Sequence, residues 1–258
     1  MNVRELFDLS GTTALVTGGA GMYGLPISEA LAEAGAHVVI ASRNLAACER
    51  VADSLSSAGR TCSAEQYDQG DESSILALRD RLQNRFGVID VLVNNSVARS
   101  MRRYEDPLSA WRKSMDVNAT GLFAVSRAFL DLMMKRGSGS VINIGSIQSV
   151  AAPAFGNYEG TSMSTPPDYH FHKHGLIGLT RYLAALGGPS GVRVNAISPG
   201  GFETHDMPAS FRERYCRRVF LGRLARHDDM KGAVVFLASP ASAYMTGQNL
   251  IVDGGYTS

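Results

Sequence analysis

The sequence predicts an α/β fold: a doubly wound parallel β-sheet with helices on both faces. Short apolar runs of strand length alternate with amphipathic stretches from end to end, and a glycine-rich turn joins the first run to the first amphipathic stretch. No Pro/Ser-rich linker or block of charge interrupts the alternation. With 258 residues, 45% hydrophobic and 19% charged, the chain is long enough to bury one full core, and a single domain over 1–258 is expected.

Strands are expected at 12–17, 37–41, 61–67, 88–93, 140–144, 192–197 and 250–252. Helices are expected near 25–34, 45–58, 73–85, 108–136, 169–186 and 229–238. A net charge of +1 gives no global attraction to nucleic acid. No apolar run approaches a membrane-spanning length, and residues 1–10 carry charges and lack a signal-peptide core, so a cytoplasmic protein without a membrane partner is expected. Cys48, Cys62 and Cys216 form no close pair or metal-like spacing, which suits reduced thiols.

The first strand runs into Thr17-Gly-Gly-Ala-Gly-Met-Tyr-Gly24, where Gly19, Gly21 and Gly24 spell G-x-G-x-x-G and Gly18 precedes them. Such glycines let the backbone turn sharply and approach a pyrophosphate, while the helix that follows aims N–H groups and a positive dipole end at it. Ordinary turns give the same pattern in many chains; here it lies between the first strand and the first helix, where a dinucleotide needs it.

The second strand leaves through Ile40-Ala-Ser-Arg-Asn44. A carboxylate there would accept hydrogen bonds from both ribose hydroxyls; Ser42 followed by Arg43 suits a 2′-phosphate instead. NADP(H) is therefore the favoured cofactor, with NAD(H) the alternative if Arg43 only stacks on adenine or faces water. Asp68 closes the third strand and Asn94-Asn95-Ser96 the fourth, at the sheet edge where such folds bind ligands, although each also suits a cap or a turn.

Tyr169 and Lys173 are four apart at the start of a helical stretch, so phenol and ammonium point into the same space. A phenol titrates near pKa ~10, and a neighbouring positive charge favours its ionised form. The spacing alone fits a surface tyrosine beside a solvated lysine equally well.

With residues 17–24, Asn94-Asn95, Asn118, Ser146, Tyr169/Lys173 and Pro199-Gly200 all in order, and the ending Thr246-Gly-Gln-Asn-Leu-Ile-Val-Asp-Gly-Gly255, the chain resembles the short-chain dehydrogenase/reductase family over essentially its whole length. The resemblance implies a Rossmann-type sheet of seven parallel strands and a nicotinamide cofactor. Its binding residues would be Gly18, Gly19, Gly21, Gly24, Ser42, Arg43, Asp68, Asn94, Tyr169, Lys173, Pro199, Gly200 and Thr204. It also implies a catalytic tetrad. Tyr169 would be the general acid when a carbonyl is reduced and the base when an alcohol is oxidised. Lys173 would lower the phenol's pKa and bind the nicotinamide ribose, Ser146 would hold the substrate oxygen, and Asn118 would order a water linking Lys173 to solvent. A homo-oligomer, tetramer or dimer, is likewise implied.

Two departures bear on function. Met22 stands where the family's most common loop has its middle glycine, and the step from Ser146 to Tyr169 is longer than in most relatives. The extra residues, 155–167, are polar and rich in turn formers, and either contact substrate or form a solvated lid. They resemble the matching segment of reductases associated with bacterial surface-sugar and nonulosonate pathways. Glu159 and Asn157 within them suit a polyhydroxylated substrate.

Arg99, Arg102 and Arg103 follow the fourth strand, and Arg212, Arg214, Arg217, Arg218 and Arg223 lie in the substrate-flanking segment 200–223. One or two of them would steer and hold an acidic substrate, the rest being solvated. Arg99, Arg102, Glu159 and His205 are the candidate substrate contacts. His170 and His174 have the spacing of a metal pair but no obvious third ligand, so no metal is expected.

The expected function is an NADP(H)-dependent oxidoreductase acting on a carbonyl or secondary alcohol of a sugar-like or acidic small molecule. A 3-oxoacyl-(acyl carrier protein) reductase is an enzyme alternative, its acidic carrier docking on the arginines. A non-catalytic NADP(H) sensor is an alternative of another class, since dinucleotide folds host many activities.

Overall fold

Successive residues of a strand face opposite sides of the sheet, and in this chain both sides are apolar. In the first strand Ala14 and Val16 enter one core while Leu15 enters the other; Val38 and Ile40 part from Val39, and Val91 and Val93 from Leu92, in the same way. Cores of 21 and 19 buried residues result, which is why helices are needed on both faces.

The computed structural model describes residues 1–258. In chain order the elements are α1 (Val3–Leu6), β1 (Thr13–Thr17), α2 (Gly24–Glu33), β2 (His37–Ser42), α3 (Leu45–Ser57), β3 (Cys62–Gln66), α4 (Glu72–Phe86) and β4 (Val91–Asn94). Then follow α5 (Leu108–Met115), α6 (Leu122–Arg136), β5 (Gly139–Ile144), α7 (Pro167–Gly187), β6 (Val192–Pro199), α8 (Ala209–Cys216), α9 (Lys231–Ala238) and β7 (Asn249–Val252). The seven strands are all parallel, in the order β3-β2-β1-β4-β5-β6-β7. The chain leaves β1 in one direction for β2 and β3, then returns to pair β4 on the other flank, which opens a crevice at the carboxyl ends of β1 and β4. Thr17 stitches that seam: its hydroxyl donates to the Val93 carbonyl at 3.1 Å and accepts from the Asn95 N–H at 3.0 Å.

Three elements depart from the periodic reading. The helix expected over 108–136 is interrupted by a π-helical segment, Asp116–Gly121. The wider turn lies against the loop after β3, where a Cβ on Gly121 would sit 2.1 Å from the Gln69 carbonyl oxygen, and Gln69 donates to the Val117 carbonyl at 2.9 Å. A single inserted residue per turn leaves the apolar period nearly intact, so periodicity does not report it. The short α1 is held by a capping box between Asn2 and Glu5. In α8 only Phe211 and Tyr215 are buried, an i, i+4 pair masked by the surrounding arginines.

The glycine contacts separate two substitutions. Gly121→Ala meets backbone and should destabilise by about 3 kcal/mol or more. Gly232→Ala, with nothing within 4 Å of the added carbon, should stabilise by about 0.5 kcal/mol. Urea midpoints of the two variants measure both signs.

Candidate active site

The glycine loop shows which glycine does what. Gly18 leaves β1 at φ +64°, a conformation only glycine adopts without strain, and so makes the sharp turn. A Cβ on Gly24, the first residue of α2, would lie 2.0 Å from the Gly18 carbonyl oxygen, so its absence lets the helix N-terminus close onto the loop. Gly19 packs against Ser28 and Ile40, behind the loop. Gly18 and Gly21 border a cleft of 420 Å³ that runs from Ser42 and Arg43 at one end to Ser146, Tyr169 and Lys173 at the other.

At the first end, Arg43 is exposed at the wall and Ser42 precedes it. Asn44 caps α3 by accepting from the Ala47 N–H at 3.1 Å, which aims the helix N-terminus at the same place. A guanidinium beside a helix N-terminus suits a phosphate. Asp68 lines the cleft with one carboxylate oxygen fixed by the Gly70 N–H at 2.8 Å. Asn94 does not reach it: its side chain is buried behind the sheet edge and donates to Ser126 at 3.0 Å and Asn143 at 2.8 Å. Its neighbour Asn95, on the opposite face, lines the cleft and ties Thr17 and Gly18 through their carbonyls at 3.1 and 3.0 Å. Asn95 thus takes the wall position expected of Asn94.

At the other end, α7 begins at Pro167, whose ring is pre-set for the first helical turn and which carries no N–H to leave unpaired. This start places Tyr169 and Lys173 on the face toward β5. The Lys173 amine is buried and donates to the Ile144 carbonyl at 2.6 Å, and burial, with Arg99 adding to it, lowers its pKa to about 7. Two cations flank the Tyr169 ring, Lys173 at 5.7 Å and Arg99 at 5.1 Å from its centroid. The ring of buried His172 meets Tyr169 edge-on at 5.2 Å, and burial followed by Lys173 and Arg99 pushes the imidazole down to about 3, so it packs as a neutral group.

Ser146 leaves β5 and caps a 3₁₀ turn; its oxygen accepts from the Gln148 N–H at 3.1 Å, so its hydroxyl proton stays available to a second acceptor. Asn118, in the π-helical segment, is buried outside the lining. It accepts from the Ala98 N–H at 2.8 Å and donates to the Ala98 carbonyl at 2.7 Å and to Ser114 at 3.0 Å. One amide proton thus holds the loop that carries Arg99 and the other ties the segment to Ser114 of α5.

Pro199 and Gly200 border the cleft, whereas Thr204, half-buried, and His205, exposed, lie outside it. Arg102 and Glu159 are also exposed and outside: the Arg102 backbone is held by Asp106 and Ser164, and the Glu159 carbonyl accepts from Arg214. Asn157 is buried against the Tyr256 hydroxyl at 2.9 Å. The other arginines serve the fold: Arg212 pairs with Glu203 at 3.5 Å, Arg217 with Glu213 at 2.5 Å and Arg223 with Asp229 at 2.6 Å, while Arg218 lies over Tyr256 at 5.3 Å. Of the four candidate substrate contacts, Arg99 alone lines the cleft. Tyr23 lines it unforeseen, donating to the Gly200 carbonyl at 2.5 Å; its one legible signal was a large aromatic between the last two loop glycines.

The donor set fits a dinucleotide with a 2′-phosphate: Arg43 and the start of α3 for that phosphate, Gly18 and Gly21 at the start of α2 for the pyrophosphate, and Lys173 and Tyr169 for the nicotinamide end. The lysine also sets a pH dependence. With its pKa at about 7 in the fold and 10.5 for an ordinary solvated lysine, the unfolded chain binds more protons between these limits. The burial penalty is therefore full below about pH 7 and is relieved as pH rises toward 10.5. Lys173→Met should exceed the wild type in stability most at pH 6, and that margin should shrink by pH 9, read from urea midpoints at both values.

A family model described as Enoyl-(Acyl carrier protein) reductase matches residues 21–257. The cis-4-hydroxycyclohexanecarboxylate dehydrogenase of Sinomonas cyclohexanicum is 36% identical, across 95% of this chain and 96% of its own. The gluconate 5-dehydrogenase of Gluconobacter oxydans (strain 621H) is 32% identical across 100% and 99%. In structure, the gluconate 5-dehydrogenase of Burkholderia cenocepacia J2315, crystallised in complex with NADP and tartrate, superposes with a TM-score of 0.89 at 33% identity, over 99% of each chain. Sequence match, sheet order and cleft agree: the chain belongs to the short-chain dehydrogenase/reductase family.

Proposed function

We propose that this chain is an NADP(H)-dependent oxidoreductase that interconverts a carbonyl and a secondary alcohol on a polyhydroxylated or carboxylate-bearing small molecule, with Tyr169 as general acid/base. The observation that carries this reading is Tyr169 in the lining of the same cleft that the glycine loop borders, with Arg99 at 5.1 Å and Lys173 at 5.7 Å from its ring centroid. The nicotinamide, when bound, supplies or accepts the hydride. Ser146 donates its free hydroxyl proton to the substrate oxygen, and Tyr169 delivers a proton to that oxygen in reduction or takes it in oxidation. Lys173, fixed by Ile144, and Arg99 balance the negative charge left on the ring oxygen. Asn118 keeps the Arg99 loop in place through Ala98.

Arg99 is also the side chain that suits a substrate carboxylate, since it lines the cleft beside Tyr169. Relatives whose names carry a carboxylate, and a structural neighbour in complex with tartrate, support the same choice. A 3-oxoacyl-(acyl carrier protein) reductase is the second reading, favoured by the description of the matching family model. The arginines first assigned to carrier docking are largely engaged within the chain, which weakens it. Turnover of acetoacetyl thioesters above that of sugar acids would reverse the order; tight NADPH binding with no turnover on any carbonyl would favour a sensor.

A cytoplasmic homo-oligomer, tetramer or dimer, completes the reading. It is supported by the exposed Phe123 on α6 and Phe171 on α7, the latter packed on Trp111. No helix is long and apolar enough to cross a membrane.

Tyr169→Phe should lower kcat by about 10²–10⁴-fold, the usual scale of a lost general acid, while NADP(H) affinity by fluorescence titration stays within about twofold. Arg43→Ala should weaken NADPH by about tenfold and leave NADH nearly unchanged, the loss of one charged contact to phosphate. Arg99→Leu should raise KM for a sugar acid by about tenfold but not for the matching neutral polyol, and equal KM changes would remove Arg99 from carboxylate binding.

A further inference from the structure

The peptide unit joining Gly200 to Gly201 is held from both edges by phenols from distant parts of the chain. Tyr23, in the glycine loop, donates to the Gly200 carbonyl at 2.5 Å, and the Gly201 N–H donates to the hydroxyl of Tyr215, on α8, at 2.5 Å. Glycine on both sides leaves such a peptide free to rotate, so its orientation has to be imposed by its neighbours. Both glycines are also crowded: a Cβ on Gly200 would lie 3.0 Å from the Asp253 Cα, and one on Gly201 would lie 2.9 Å from the Tyr215 ring.

Each phenol has further ties. The Tyr23 ring lies edge-on to Phe202 at 5.0 Å and walls the cleft. Tyr215 stacks on Tyr256 at 4.5 Å, and the Tyr256 hydroxyl accepts from Asn157 of the 155–167 insertion at 2.9 Å. Arg214, beside Tyr215 on α8, donates to the carbonyls of Asn157 and Glu159. A continuous set of contacts therefore runs from the cofactor loop, through one peptide, to α8, the C-terminal tail and the insertion. Burial holds both phenols protonated across the neutral and mildly alkaline range, so the two bonds persist there.

We propose that Tyr23 and Tyr215 are positioning residues that clamp the Gly200–Gly201 peptide and thereby couple occupancy of the cofactor cleft to the insertion and α8. The catalytic consequence rests on the proposed function; the clamp itself does not. A ligand touching Gly200 or Tyr23 then biases the substrate side without touching it, because both ends act on the same rigid unit.

Amide exchange on the full chain decides the matter. In the free protein, Tyr23→Phe and Tyr215→Phe, which keep their rings, should each speed exchange of the Gly201 amide at least about tenfold, the effect of losing a protecting bond or the carbonyl-side restraint. An unchanged Gly201 amide in Tyr23→Phe overturns the clamp, whatever the enzyme does. With saturating NADP⁺, wild type should gain protection in residues 155–163 and 209–216, and Tyr23→Phe should lose that gain while its NADP⁺ Kd stays within about threefold. Protection confined to the cleft walls in wild type overturns the coupling.

Where turnover is found, each single variant should raise substrate KM more than it lowers kcat, and the double variant should lose no more kcat/KM than the worse single. Losses that multiply mean two independent roles and overturn the shared clamp. Failure to find turnover would count against the proposed function alone, leaving the exchange results to judge the clamp.

Discussion

The bond from the Lys173 amine to the Ile144 carbonyl is the contact around which the site is built. It is costly, because a group that prefers to be charged is buried with one protein acceptor and its pKa falls to about 7. A methionine would fill the space with less penalty, so a buried lysine there marks the cleft as a candidate functional site. The same bond fixes α7 against the end of β5. It thereby sets where Tyr169, one helical turn earlier, meets the cleft, and it does so beside Ser146, which follows the same strand.

Around that contact, polar side chains act as splints between loops. Asn118 grips both sides of Ala98, Thr17 and Asn95 close the β1–β4 seam, and Tyr23 and Tyr215 share one peptide. Loops at the carboxyl edge have no ladder of their own, and a loop with unpaired backbone groups would be both unstable and imprecise. Each splint satisfies a backbone group and fixes a neighbouring part of the cleft wall at once: Ala98 precedes Arg99, and Gly18 opens the glycine turn that borders the cleft.

The insertion and the arginine-rich segment illustrate the reverse case, polar residues that serve architecture. Arg212, Arg217 and Arg223 are paired with carboxylates, Arg214 supports the backbone of the insertion, and Arg218 covers Tyr256. Beneath them Phe211, Tyr215, Val219 and Leu224 form a small core of their own. The segment is thus a packed wall anchored to α8 and the tail. Arg99 differs because it stands over an aromatic ring at the cleft.

The sequence by itself determined the parallel sheet, its seven strands within a few residues, the glycine turn and the Tyr169/Lys173 pair. These depend on period-two and period-3.6 patterns and on contacts within one helical turn, all local along the chain. The tertiary structure decided the rest. Gly121 against Gln69 accompanies the π-helical break, and the alternation of strand faces put Asn95 rather than Asn94 at the wall. Packing within the arginine-rich segment engaged Arg212, Arg217 and Arg223, and pairing across long separations decided which phenols met at Gly200–Gly201. Charge and residue type can be read from a chain, but a partner brought in from far along it is chosen by the fold.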